Sequence, residues 1–273
     1  MTERWIEKFR RYKPEPDTLT IWRMGQSGFL LQTQSALICT DLYLSDHPMR
    51  TRRSVVRAEE LTGLDVIFGS HDHPDHIDRA AWTELLAANP KAAVVVPKSL
   101  EDDICAAFAL PQERVYGLED LQMQRPGVCT LTGVASAHEL LERDAKGEYL
   151  CMGAVIELGG FRIYQPGDTC LYEGLASKLR AIGSLDAMLL PINGRDAVRY
   201  RNGILGNMTY QEAADFGAAL QPGILIPAHY DLFQGNLEDP EKFTDYLAVK
   251  YPCQRAWVGA IGDYVILRKG ETT

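Results

Sequence analysis

The sequence predicts an α/β fold in which two β-sheets pack together with helices outside them. Three observations predict it. Short apolar runs rich in β-formers recur along the chain and outnumber the helical stretches. Strand-like and helix-like segments mix in both halves, which two packed sheets with outer helices would bury. The chain has 273 residues, 46% hydrophobic and 24% charged, which is ample material for the core of one large layered domain spanning 1–273.

Each element has a local reason. Residues 1–16 read as a short polar helix ended by Pro14-Glu15-Pro16. Thr18–Trp22, Gly28–Leu31 and Ala36–Asp41 are short β-rich runs separated by Gly/Ser/Gln turns, an antiparallel meander. Asp65–Gly69 is a buried strand, and Asp78 caps a helix through Ala80, Trp82, Leu85 and Leu86. A strand at Ala93–Val96 and a helix from Leu100 to Leu110 follow. Strands come next at Val128–Ala135, Met152–Leu158 and Phe161–Tyr164. The last third reads as strand Ala187–Pro191, helix Thr209–Leu220, strand Gly223–Pro227, helix Pro240–Val249 and strand Tyr264–Arg268.

Bulk charge narrows the function. A net charge of -9 and a pI near 5.2 do not suit nucleic acid, which needs clustered Lys and Arg. Apolar runs such as Ala92–Pro97 are far too short to span a membrane, and the charged opening Met1–Lys8 lacks a signal-peptide core. A cytoplasmic protein is expected. The six cysteines show no CxxC pairing and read as buried thiols, Cys170 among them although it lies close to Asp168.

The histidines carry the chemistry. Five of the six fall where a metal would want them. Three lie in His71-Asp72-His73-Pro74-Asp75-His76, and His138 and His229 each close an apolar run downstream, as Asp168 does. Strand ends held by a rigid scaffold would bring such residues together. In an extended stretch His71 and His73 point to one side and can grip one ion as a pair. Pro74 breaks the extension, and Asp75 and His76 follow toward a second ion. Seven ligands are too many for one tetrahedral catalytic ion and suit two ions sharing a carboxylate and a water. Imidazole and carboxylate suit zinc or manganese, with iron the third choice. His47, alone in Ser45-Asp46-His47-Pro48, reads as an ordinary surface or core residue.

The HxHxDH run, the single His138, Gly167-Asp168 and the late His229 resemble the metallo-β-lactamase superfamily. The resemblance implies a four-layer αββα sandwich with the site at one edge of the sheets. It also implies roles: His71, His73 and His138 for the first metal, Asp75, His76 and His229 for the second, and Asp168 as the bridge. A narrower resemblance, carried by His71–Asp78, Asn207-Met208-Thr209 and Ile226–Asp231, is to the L-ascorbate-6-phosphate lactonase family. The loop Pro191–Asp196 is instead similar to a related subgroup. The expected chemistry is attack of a metal-activated hydroxide on a lactone or other ester-like carbonyl, with Asp75 a ligand that also orients the nucleophile or passes its proton.

Substrate recognition is less marked. The expected ligand is a small anionic, phosphorylated molecule, gripped by Arg195 beside Asn193, with Asn207 and Tyr230 as further contacts. The alternatives are a solvated loop for Arg195, Arg199 and Arg201, a helix cap for Asn207 and Thr209, and core packing for Tyr230. Gly25-Gln26-Ser27-Gly28 reads as a tight turn without the Lys of a P-loop. Asp41, at a strand end on the same edge, is expected to orient a ligand histidine. Two rival functions remain: a phosphodiesterase for small molecules, and a non-hydrolytic di-iron redox or sensor protein. The resemblance also implies a homo-oligomer.

Overall fold

The computed structural model describes residues 4–269. The first three residues of the expected opening helix, and the last four of the chain, lie outside them.

Seven strands form the first sheet: β1 (Thr18–Gly25), β2 (Gly28–Gln32), β3 (Leu37–Thr40), β4 (Val66–Phe68), β5 (Ala93–Pro97), β6 (Val115–Leu118) and β13 (Tyr264–Arg268), in the order β13-β1-β2-β3-β4-β5-β6. The expected meander is there: β1, β2 and β3 pair antiparallel. From β3 to β6 the strands run parallel. Six strands form the second sheet: β7 (Met123–Gln124), β8 (Thr130–Ala135), β9 (Met152–Leu158), β10 (Phe161–Gln165), β11 (Ala187–Pro191) and β12 (Ile224–Ala228). There β8, β9 and β10 alternate in direction, and β10, β11 and β12 are parallel.

Both faces of each sheet are covered, which is why the strands are apolar on both sides and not on alternate residues. Between the sheets, Leu19, Ile21, Phe29 and Val95 meet Ile156, Ile163, Leu189 and Ile226. The opposite side chains of the first sheet, such as Trp22 and Ile67, pack on helices α1 (Trp5–Arg11), α2 (Arg79–Ala88) and α3 (Glu101–Phe108). Those of the second, such as Tyr164 and Leu190, pack on α4 (Leu175–Ile182), α6 (Tyr210–Leu220) and α7 (Pro240–Lys250). The short α5 (Ala197–Arg201) lies between β11 and α6. The architecture is the four-layer αββα sandwich. Among the described residues no helix is long and apolar enough to cross a membrane.

Some elements differ from expectation. The opening helix is not polar all round: Ile6 and Phe9 are buried, and Trp5 and Phe9 surround Trp22. The sequence reading lacks β6, β7, α4 and α5. The start of α4 is hidden because its N-cap is Gly174 in a left-handed conformation, with no side-chain cap. The α5 helix is a single short turn capped by Asp196.

Asp78 has a larger role than capping. Its Oδ1 accepts from Ala81 N–H at 3.1 Å, while Oδ2 accepts from the Leu44 and Ser45 N–H groups at 2.9 and 2.8 Å. It therefore ties the loop after β3 to α2. We expect Asp78→Ala to destabilise the fold by about 3 kcal/mol, a lost cap plus buried donors left unpaired. Urea unfolding measures this, and an unchanged midpoint would refute the tie.

Candidate metal centre

Six strands end at one edge, and the segment after each supplies a polar side chain. In the first sheet β1 leads to Gln26, β3 to Asp41 and β4 to His71. In the second β8 leads to His138, β10 to Asp168 and β12 to His229. Within each sheet these three strands share a direction. Pro74 opens a turn closed by the His76 and Ile77 N–H groups, which donate to the His73 carbonyl at 3.0 and 2.8 Å. That turn brings Asp75 and His76 back over the edge.

All seven expected ligands converge. His71 Nε2 and His73 Nδ1 are 3.0 Å apart, and the His138 ring lies 5.2 and 5.0 Å from theirs. Asp75, His76 and His229 form a second group, with His229 Nε2 3.3 Å from Asp75 Oδ2. In each group the ligand atoms lie within 4.8 Å of one another. Asp168 touches both groups. Its Oδ1 is 3.2 Å from His76 Nε2, and its Oδ2 is 3.1 Å from His229 Nε2 and 3.6 Å from His138 Nε2.

The backbone is shaped for this. Gly167 has φ +64°, and a Cβ there would fall 2.3 Å from Ser70 Oγ, so only glycine lets Asp168 approach. Gln26, Asp41 and His229 have φ of 52°, 45° and 55°, unusual for residues with a Cβ and of a kind that gathers at functional sites. The Asp41 carboxylate accepts from Ser70 N–H and Ser70 Oγ, each at 2.8 Å, and lies 2.9 Å from His76 Nδ1. It thus fixes the ring whose Nε2 faces Asp168, the orienting position expected of it.

The electrostatics follow from burial and the carboxylates. Burial pushes His71 well below its ordinary range and lowers His73 as well. Burial opposes charge on His76 too, but Asp168, Asp41 and Asp75 outweigh it and raise that imidazole. His229 is likewise raised to about 9, burial being outweighed by Asp168 and Asp75. Burial would raise the Asp168 carboxyl, yet His229 and His76 hold it well below the usual range. The thiols lie outside this chemistry, since burial pushes Cys151 up to about 12 and raises Cys170.

The donor set fits two metal ions. His76 Nε2 and Asp168 Oδ1 are buried without a hydrogen-bond partner although they face each other. His71 Nε2 and His73 Nδ1 lie 3.0 Å apart with the His138 ring beside both, a spacing that one ion between the three rings would suit. Among the described residues, no Lys or Arg pairs with Asp41, Asp75 or Asp168. Nitrogen and carboxylate donors in this mix suit zinc, manganese or iron.

A cleft of about 520 Å³ opens above the site. His73, Asp75, His138, Asp168 and His229 form its floor. Its walls are largely apolar, with Tyr43, Met49 and Phe233 on one segment pair and Ile204 and Leu205 on another, and Gln234 and Asn236 beside them. His47 stands among them, exposed at the rim, with its ring edge toward Phe233.

The four expected substrate contacts do not line this cleft. Arg195 is closed on Glu212 by two hydrogen bonds of 2.7 Å, and its Nη1 also donates to the Asn207 carbonyl. A carboxylate already satisfies the fork that a phosphate would need. Asn193 and Asn207 are buried behind the wall, where Asn207 donates to Asn193 and Asn193 to Asn236. Tyr230 is buried under the Arg23 guanidinium, and burial pushes its phenol up to about 12. Thr209 is the cap of α6, in a capping box with Glu212. The residue missed at the floor is Gln26, whose amide nitrogen is 2.9 Å from both Asp75 Oδ2 and His229 Nε2. Its place right after β1 was the available signal.

This fold and site define a class, the metal-dependent hydrolases built on the metallo-β-lactamase sandwich. A family model described as the beta-lactamase superfamily domain matches residues 39–230, well over half of the chain, and the chain belongs to that superfamily. A UPF0173 metal-dependent hydrolase from Thermoplasma acidophilum is 29% identical over 259 residues, covering 92% of this chain and 95% of its own. Among solved structures, Igni18, a metallo hydrolase from Ignicoccus hospitalis, aligns with a TM-score of 0.69 at 19% identity, over 92% of this chain and 99% of that one. CmlA, a diiron beta-hydroxylase from Streptomyces venezuelae, aligns with a TM-score of 0.69 at 17% identity, over 94% of this chain and 55% of its own. These two share the fold.

Two measurements check the site. Asp41→Asn should weaken metal binding by about 10–100-fold, as lost orienting partners do, in chelator competition; unchanged affinity would remove Asp41 from the site. In chelator-treated protein, the pairing that raises His229 from 6.5 to about 9 contributes stability that is complete below pH 6.5 and lost as pH rises through 9. The thermal midpoint should therefore fall across that window, and a midpoint that rises would contradict the pairing.

Proposed function

We propose that this chain is a dinuclear metal-dependent hydrolase that opens an ester-like bond, a lactone, in a small and largely neutral molecule. The observation that carries the reading is the convergence of seven candidate ligands into two groups that both touch Asp168, five of the seven lining an open and largely apolar cleft. His71, His73 and His138 would hold one ion, and Asp75, His76 and His229 the other. Bound there, divalent ions lower the pKa of a water and polarise a carbonyl.

The protein's own residues supply the rest. Asp168 keeps the two groups in register through contacts to three histidines. Asp41 and Ser70 hold His76 in a fixed orientation. The apolar walls exclude water from one side of the substrate, which strengthens polar interactions at the floor. His47 Nδ1 accepts from Met49 N–H at 3.2 Å, so in the neutral ring the proton sits on Nε2 as a donor at the cleft rim.

Lactone opening is supported by the resemblance of His71–Asp78 and Ile226–Asp231 to the L-ascorbate-6-phosphate lactonase family. A phosphate on the substrate finds less support. Among the described residues no Lys or Arg lines the cleft, so a dianion there would find no fixed cation to offset its desolvation.

Elemental mass spectrometry of protein purified without chelators should find two ions per chain, and His73→Ala should lose metal and turnover while keeping the fold. With the ions identified, neutral lactones should exceed their phosphorylated analogues in kcat/KM by at least about tenfold, equivalent to 1.4 kcal/mol. A preference for the phosphorylated analogues would sink the neutral-substrate reading. Two bound ions with no turnover of any lactone or ester would sink the ester reading itself.

A further inference from the structure

The Gln26 side chain enters the second ligand group from the first sheet. Gln26 is 1% exposed, and its Nε2 stands 2.9 Å from Asp75 Oδ2 and 2.9 Å from His229 Nε2. Its backbone is held on both sides. The Gln26 N–H donates to Asp231 Oδ1 at 3.0 Å, and its carbonyl accepts from the His229 N–H at 2.9 Å. Asp231 is in turn paired with the buried Arg23 at 2.7 Å. The side chain therefore has little freedom to leave, and it occupies the same kind of position as the ligands: directly after a strand, at the same edge.

A cation between Asp75, His76 and His229 needs acceptors facing it. An amide has one of each kind: half a turn about its last torsion puts Oε1 where Nε2 stands. We propose that Gln26 is a further ligand of the metal held by Asp75, His76 and His229, through its side-chain oxygen. The proposal rests on the dinuclear reading above. An amide oxygen is a hard, neutral donor, so it favours manganese over zinc in that group. Gln26 approaches the Asp75, His76 and His229 group, so it would make the two positions differ in kind.

The test titrates the chelator-stripped full chain with Mn2+ alone and with Zn2+ alone. Bound metal is counted after equilibrium dialysis, and electron paramagnetic resonance reads the coupled Mn2+ pair. Gln26→Met keeps the length and removes the oxygen; Gln26→Glu keeps an oxygen. We expect Gln26→Met to bind the first ion as the wild type does and the second about tenfold or more weakly, with a larger loss for Mn2+ than for Zn2+. Gln26→Glu should bind the second ion at least as tightly as the wild type. Unchanged or tighter second-ion binding in Gln26→Met would overturn the proposal, because the amide would then be a bystander or a competitor. If Gln26→Met fails to fold by circular dichroism, Gln26→Glu decides: weaker second-ion binding than wild type overturns the proposal. A wild type that binds fewer than two ions overturns the dinuclear reading along with it, whereas two ions in both wild type and Gln26→Met at equal affinity overturn this proposal alone.

Discussion

The structure turns on a buried carboxylate. Asp168 is 3% exposed and lies within reach of three histidines drawn from three different segments. A carboxylate so far from water is tolerable only with compensating charge and donors around it. Here the compensation is also what joins the sheets. Asp168 follows β10 in the second sheet, and His76 belongs to the turn after β4 in the first. The Gly167 backbone passes so close to Ser70 that a Cβ would collide with its side chain. The edges of the two sheets are therefore locked at the point where the ligands gather.

The lock continues outward from the ligands. Gln165, the last residue of β10, donates to the Ser27 carbonyl at 2.9 Å and lies 3.4 Å from Asp41. Asp41 in turn holds Ser70 and His76. These groups are buried and each has partners across the sheet interface, so the edge is specified by polar contacts as firmly as the interior is by Leu, Ile and Phe packing. A floor held this way limits where its side chains can sit, as catalytic constellations need.

The floor was legible in the sequence and the walls were not, for a physical reason. His71, His138, Asp168 and His229 each follow an apolar run, and a strand end is a local pattern that survives in one dimension. Gln26 has the same context after β1, but Gly25 and Gly28 around it carry a turn signal strong enough to hide it. The wall residues Tyr43, Met49, Ile204, Leu205 and Phe233 come from three separate loops, and only tertiary structure makes them neighbours. Arg195 looks different in sequence and in space for a related reason. In sequence it is a guanidinium in a Gly/Asn-rich loop, whereas in space the first turn of α6 delivers Glu212 to it. The same Glu212 completes the Thr209 capping box, so one carboxylate serves both a helix end and a loop.

Floor and walls are built on different principles, yet they are not independent. Ile204 and Leu205 belong to a loop that the floor itself suspends. The Gly206 N–H donates to Glu139 at 2.9 Å, its carbonyl lies 3.4 Å from His138 Nδ1, and the buried Cys170 thiol points at the same oxygen. His138 thus has one nitrogen toward Asp168 and the other toward the wall. A carbonyl on Nδ1 favours the tautomer that leaves Nε2 free to bind a metal. A movement of the 203–207 loop that a substrate induces would reach the first ligand group through this ring and the adjoining Glu139. The opposite wall is tied within itself: the Gln234 N–H donates to the Met49 carbonyl at 2.8 Å. Substitutions at Ile204 and Leu205, by contrast, act on the shape of the cleft and, through the Gly206 carbonyl, on the His138 ring together.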